Sequence, residues 1–98
     1  MKPYIGIVHK DSESAYGITF PDAPGCFSAA DEMDDLFVIA DEAITAWMDA
    51  MLEDRLVIPL TRDLSEIRAD PKWVESLATS VFLIAVPVPS RGAQQQAA

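Results

Sequence analysis

Phe20-Pro21-Asp22-Ala23-Pro24-Gly25-Cys26 sets the only cysteine of this 98-residue chain four positions after a carboxylate flanked by prolines. Such a set could carry a nucleophile or an acid on a rigid loop. A cysteine nucleophile needs a base to take its proton. The one histidine, His9, is distant in sequence, and a lone cysteine at a strand start is more often a small buried hydrophobe. One histidine and one cysteine make neither a zinc site nor an internal disulfide. No G-x-S-x-G, P-loop or H-E-x-x-H pattern is present. The sequence therefore predicts no enzyme, no metal and no cofactor. The motif reads instead as a corner. Pro21 and Pro24 fix φ, Gly25 permits a positive φ at the third position of an Ala23-Pro24-Gly25-Cys26 type II turn, and Cys26 begins the next strand. Asp22 either caps the turn's own backbone or is held outward for a partner, with little freedom to lose on binding.

Charge gives the second chemical signal. Seven basic and sixteen acidic side chains leave a net charge of −9. Residues 1–60 hold Lys2, Lys10 and Arg55 against twelve acids, while residues 61–98 hold four of each, so all of the excess lies in the first part. Between Asp22 and Asp54 there are ten acids and no lysine or arginine. Such a stretch repels phosphate backbones and attracts a basic partner over a Debye length of roughly 8–10 Å. Its plain alternative is a solvated helix and loop surface.

The elements that must carry these groups follow from periodicity. Half of the residues are apolar, which allows one modest core and one domain. No run reaches the ~18–20 apolar residues of a membrane span, and the N-terminus runs straight into strand-like sequence, so a cytoplasmic protein is expected. Tyr4-Ile5-Gly6-Ile7-Val8-His9 and Ala15-Tyr16-Gly17-Ile18-Thr19-Phe20 read as strands joined by the polar turn Lys10-Asp11-Ser12-Glu13-Ser14. A short third strand is expected from Cys26 to Ala29. From Met33 to Asp54 the period becomes helical. Leu36, Phe37, Ile39, Ala40, Ala43, Ile44, Trp47, Met48 and Met51 form an apolar stripe, with Asp41, Glu42, Asp49 and Glu53 opposite and Val38 and Leu52 stranded among the acids. The stripe is wider than one core needs, so part of it, with Trp47, Met51 and Phe82 as core or oligomer residues, suits a dimer or tetramer. Leu56-Val57-Ile58-Pro59-Leu60 is expected to be extended. Short helical pieces follow at residues 64–68 and 71–77, with Pro71 as a first helical residue. Val81-Phe82-Leu83-Ile84-Ala85-Val86 reads as a strand buried on both faces and ended by Pro87 and Pro89. His9 is expected on the surface, and residues 90–98 form a disordered tail. The order β-β-β-α-β is an α+β fold, one small, mainly antiparallel sheet covered by one long amphipathic helix.

Residues 1–89 resemble the HicB family of antitoxins. The resemblance rests on "YIGIVHKDSESAYGITFPDAPGC", "SAADEMDD" opening the acidic helix, "VIPL" after it, and a late strand ending in "VPVP". Its most specific part is the F-P-D-x-P-G-C signature formed by Phe20, Pro21, Asp22, Pro24, Gly25 and Cys26. The resemblance implies a partial RNase H-like fold and a small basic HicA-like toxin as partner, an mRNA-cleaving protein whose catalytic histidine and RNA surface the antitoxin covers. Candidate toxin-binding residues are then Asp22, Pro24, Asp31, Asp34, Asp35, Asp41 and Glu42. An RNase H-like fold suggests magnesium between carboxylates, but those acids must converge from different strands, and here they lie on loops and one helix face. Ala30, Glu32 and Leu36 depart from the usual glycine, Ser/Thr helix cap and alanine. Many members continue into a DNA-binding domain, whereas here the chain ends in "SRGAQQQAA", so DNA binding by this chain alone is not expected. An orphan binding or oligomerisation module of the same fold, without a toxin partner, is the alternative.

Overall fold

The structure, a computed structural model, describes residues 2–89, so the expected tail at residues 90–98 lies outside the described residues. Four strands, β1 (Tyr4–His9), β2 (Tyr16–Thr19), β3 (Phe27–Ala30) and β4 (Phe82–Val86), form a sheet in the order β3-β2-β1-β4. Every neighbouring pair is antiparallel. The first hairpin closes where the polar turn was expected, with the Ser14 N–H donating to Asp11 O at 3.2 Å and the Asp11 N–H donating to Ser14 Oγ at 2.9 Å.

Helix α1 (Leu36–Glu53) lies over one face of the sheet. Leu36, Ala40, Ile44 and Met48, four residues apart, are its buried line, and they meet Tyr4, Val8, Ile18, Ala30 and Val86. The Tyr4 and Trp47 rings touch edge to face with centroids 5.9 Å apart. Gly6, in the middle of β1, makes this packing possible. A Cβ there would lie 2.9 Å from Ile84 Cγ1 and 3.0 Å from both Ile18 Cγ2 and Phe20 Cε1. Gly6→Ala is accordingly expected to lower unfolding stability in urea by about 1–3 kcal/mol, the typical range for overpacking.

The opposite face is covered too, by a thinner layer built from the short helical pieces that the sequence predicts at residues 64–68 and 71–77. Helix α2 (Leu64–Ala69) and helix α3 (Val74–Ala78), joined by a 3-10 turn at Pro71–Trp73, follow residues 56–60, which are in neither helix nor strand. Ile7 is fully buried on this face, Ile67 is buried in the layer, and Trp73 and Lys72 border a groove with Thr19 and Phe27. His9 is half-buried rather than on the surface. It donates from Nε2 to Ser76 O at 2.8 Å, since a carbonyl can only accept. Strand β4 departs from expectation as well. It is an edge strand with Ala85 exposed, and the two-sided burial belongs to β1, whose Ile7 and Val8 point to opposite faces and are both fully buried. An apolar run alone does not separate a central strand from an edge.

Both ends of α1 bear on stability. A 3-10 turn at Met33–Asp35 leads in, and neither Glu32 nor Asp35 makes a side-chain cap bond. At the other end the Leu56 N–H donates to Met51 O at 2.9 Å and the Arg55 N–H to Leu52 O at 3.1 Å, which is a Schellman closure with Arg55 at φ 57. A side chain in this left-handed region costs roughly 1–2 kcal/mol, partly offset by the extra entropy glycine loses on folding. Arg55→Gly is expected to raise stability by about 0.5–1 kcal/mol, read as a higher urea midpoint with an unchanged slope.

Candidate functional site

The corner forms as its residue types dictate. The Ala23 N–H donates to Phe20 O at 3.1 Å and the Cys26 N–H to Ala23 O at 3.0 Å, giving two consecutive turns, and Gly25 takes φ 84 in the second. Phe20, Pro21, Ala23 and Cys26 are buried and Pro24 and Gly25 are exposed. Trp47 Nε1 donates to Pro24 O at 2.9 Å and Cys26 Sγ donates to Ala43 O at 3.5 Å, so α1 grips the corner from one side. Trp47, Met51 and Phe82 are partly buried against the core. Burial pushes the Cys26 thiol up to about 11. The sign is destabilising at high pH. The unfolded chain releases this proton near the ordinary thiol value and the folded chain holds it to about 11, so stability falls as pH rises through that window. Cys26→Ala is expected to flatten this fall between pH 8.5 and about 11 in thermal unfolding, relative to the parent chain.

Asp22 does not face outward. It is 6% exposed, and both carboxylate oxygens are taken within the chain. Oδ2 accepts from the Arg62 backbone N–H at 2.7 Å and Oδ1 from Arg62 Nε at 2.8 Å. Arg62 Nη1 continues to Asp70 Oδ2 at 3.1 Å, and Asp70 Oδ1 accepts from the Lys72 N–H at 3.0 Å. The hydrogen bond from Asp22, followed by that from Asp70, holds the Arg62 pKa above its ordinary value. The Lys72 N–H, followed by Arg62, holds the Asp70 carboxyl below its own. Asp22 is thus the anchor of the second layer, displayed neither to solvent nor to a partner. A carboxylate in an apolar corner must find a cation, and Arg62 is the first base after Arg55 along the chain. That was the only sequence signal for a pairing across 40 positions.

The remaining acids face solvent. Asp31, Asp34, Asp35, Asp41 and Glu42 are all exposed. Asp41 and Glu42 lie on α1, and Asp34 and Asp35 in the 3-10 turn that leads into it. At 100° per residue Val38 falls between Asp41 and Glu42, and Phe37 falls on the far side of Asp41. Val38, already out of place in the sequence pattern, is 58% exposed, and Phe37, expected in the buried stripe, is 51% exposed. The outer start of α1 thus exposes apolar side chains interleaved with carboxylates. Among the described residues no group of three or more His, Cys, Asp or Glu could hold a metal ion, and no helix is long and apolar enough to cross a membrane.

Known proteins resemble this chain in sequence and fold. A phage protein, the "Uncharacterized 14.9 kDa protein in rep-hol intergenic region" of Haemophilus phage HP1 (strain HP1c1), is 33% identical over 66 residues, 67% of this chain and 50% of the phage protein. The chain thus spans half the length of that curated relative. The crystal structure of the Burkholderia Pseudomallei antitoxin HicB superposes with a TM-score of 0.73 at 29% identity over 94% of this chain and 67% of that one. A chain of the HicA3 and HicB3 toxin-antitoxin complex matches with a TM-score of 0.68 at 25% identity, over 88% of this chain and 96% of that chain. The family model for the HicB_like antitoxin of bacterial toxin-antitoxin systems matches residues 4–93. The chain therefore belongs to the HicB-like antitoxin family, whose members are regulatory proteins and not enzymes.

Proposed function

We propose that this chain neutralises a small basic HicA-type toxin by covering the toxin's active site and RNA-binding surface, and that α1 supplies the docking face. The observation carrying the reading is the exposed, interleaved set of Phe37, Val38, Asp41 and Glu42 at the start of α1, with Asp34 and Asp35 in the turn before it and Asp31 just ahead. A toxin that binds messenger RNA must present a positive surface, and an acidic rim matches it, raising encounter rates and rejecting acidic competitors. Phe37 and Val38 supply apolar contact among the acids. Support from outside the chain is the likeness to a chain of the solved HicA3 and HicB3 toxin-antitoxin complex. The same charge disfavours duplex DNA, so the chain alone gives no mobility shift with its upstream region at physiological salt. Apolar surface left unburied on the described residues also suits a homo-oligomer, dimer or tetramer, which light scattering on the purified protein would read.

Co-expression tests the function. The adjacent toxin gene should arrest growth alone, and this protein should relieve the arrest and co-purify with the toxin. Failure of both relief and co-purification would remove the antitoxin role and leave the orphan module.

A further inference from the structure

The acidic start of α1 is joined directly to a free sheet edge. Strand β3 is the outer strand of the sheet, and among the described residues its backbone makes no hydrogen bond except to β2. Proteins protect such edges with charge, proline, bulges or a covering element. Phe27-Ser28-Ala29-Ala30 has no charge and no proline, and it pairs with β2 in unbroken register. Its two outward side chains on the face away from α1 are Phe27, 74% exposed, and Ala29, also exposed. Beside Phe27 runs a groove of about 200 Å³ bordered by Pro24, Gly25, Thr19, Lys72 and Trp73. The strand then leads without a break into exposed Asp31, Glu32, Asp34 and Asp35.

The other edge differs. Strand β4 is also an outer strand, but no charged residue lies between Glu75 and Arg91. A chain that added itself to β4 would meet no carboxylate in that segment. One that added itself to β3 would meet four within five residues of the strand's end. The charge at β3 therefore suits a basic partner and opposes a second copy, which carries a net charge of −9.

We infer that β3 is a strand-addition site for the basic toxin: an extended segment of the toxin pairs with Phe27–Ala30, inserts an apolar side chain beside Phe27 and Trp73, and directs its cations to Asp31, Glu32, Asp34 and Asp35. This rests on the antitoxin reading and adds to it the mode of binding. Main-chain bonds along the edge supply affinity that is insensitive to the toxin's sequence, and the groove and the acids supply selectivity.

Hydrogen exchange on the wild-type protein, free and mixed with the toxin made inactive by replacing its histidine with alanine, tests this without any antitoxin variant. The amides of residues 27–30 should slow by about tenfold or more in the complex, while those of residues 82–86 keep their free rates. Phe27→Ala and Ala29→Lys should each weaken toxin binding by about tenfold or more, with Val57→Ala, at another exposed apolar residue, within about twofold. A complex in which residues 27–30 exchange at free rates removes the edge assignment and leaves the antitoxin role standing. Protection of residues 27–30 that rises with protein concentration in the absence of toxin assigns the edge to a second copy and overturns the proposal. Absence of any complex removes the antitoxin reading and this inference together.

Discussion

Replacing Asp22 with alanine is expected to destabilise the fold by about 2–3 kcal/mol and to open the layer formed by residues 61–79 before the rest unfolds. Removing one partner of a buried ion pair costs roughly 3–5 kcal/mol when the other charge is left in an apolar site. Arg62 is 32% exposed, so water reaches part of the guanidinium and the expected loss is smaller. The cost has two sources. The Arg62 backbone N–H loses its acceptor, and Nε loses a 2.8 Å charge-assisted bond. Asn at position 22 can still accept from the backbone N–H, so Asp22→Asn should cost about half as much. A cycle of Asp22→Ala, Arg62→Ala and the double variant should give a coupling of about 1–2 kcal/mol. Loss of less than about 0.5 kcal/mol in Asp22→Ala, within the range of ordinary surface changes, would show that the second layer is held by Ile67 and Trp73 alone. Lower pH should act at the far end of the network. The Asp70 carboxyl is held below its ordinary value, so its contribution is present above that value and is lost as pH falls through the folded one.

The Asp22 prediction also marks what the sequence could and could not reveal. Local signals were read well. The hairpin turn, the Ala23–Cys26 turn with Gly25 at positive φ, the 33–54 helical period and the helical turn starting at Pro71 depend on residues within a few positions of one another. Side-chain partners across 40 positions leave no periodic trace, so Asp22 was assigned by its neighbours in sequence, as a turn cap or an outward carboxylate, when its partner is Arg62. His9 was misplaced for the same reason, since its acceptor, Ser76 O, lies 67 positions away. The second layer was hidden because its helices are short and polar, with Ile67 as the only fully buried side chain among residues 61–79. The real hint lay in β1, where Ile7 and Val8 are both too apolar for a strand with a wet face. At the start of α1 the acids are legible as a cluster, but the period places Phe37 in the buried stripe and the structure leaves it exposed. The period says which residues share a helix face and leaves open how much of a wide stripe the sheet can cover.

Neutralising Asp34, Asp35, Asp41 and Glu42 together, to Asn or Gln, is expected to slow toxin association by about 10–100-fold at low salt, and the difference should shrink to a few-fold near 1 M salt. The change in salt separates steering from contact, because the screening length drops from roughly 10 Å at 0.1 M to 3 Å at 1 M. These side chains are exposed at the rim, so dissociation should change little. Phe37→Ala and Val38→Ala should behave in the opposite way, with association nearly unchanged and dissociation faster by about tenfold, as for apolar groups at the centre of an interface. Asp34 and Asp35 have a second role at the positive end of the helix, worth about 0.3–1 kcal/mol each, and no side-chain cap is present there to compensate. Asp41 and Glu42 lie deeper in α1, beyond its first turn. The Asp41→Asn, Glu42→Gln pair therefore carries the kinetic test cleanly, with Glu13→Gln on the distant hairpin turn as the reference for a general loss of negative charge. Equal slowing in Glu13→Gln and in the α1 pair would mean that net charge steers the toxin and that α1 has no privileged position. Slowing confined to the α1 pair, combined with faster dissociation in Phe37→Ala, would fix the toxin on the outer start of the helix, within one short loop of the free edge of β3.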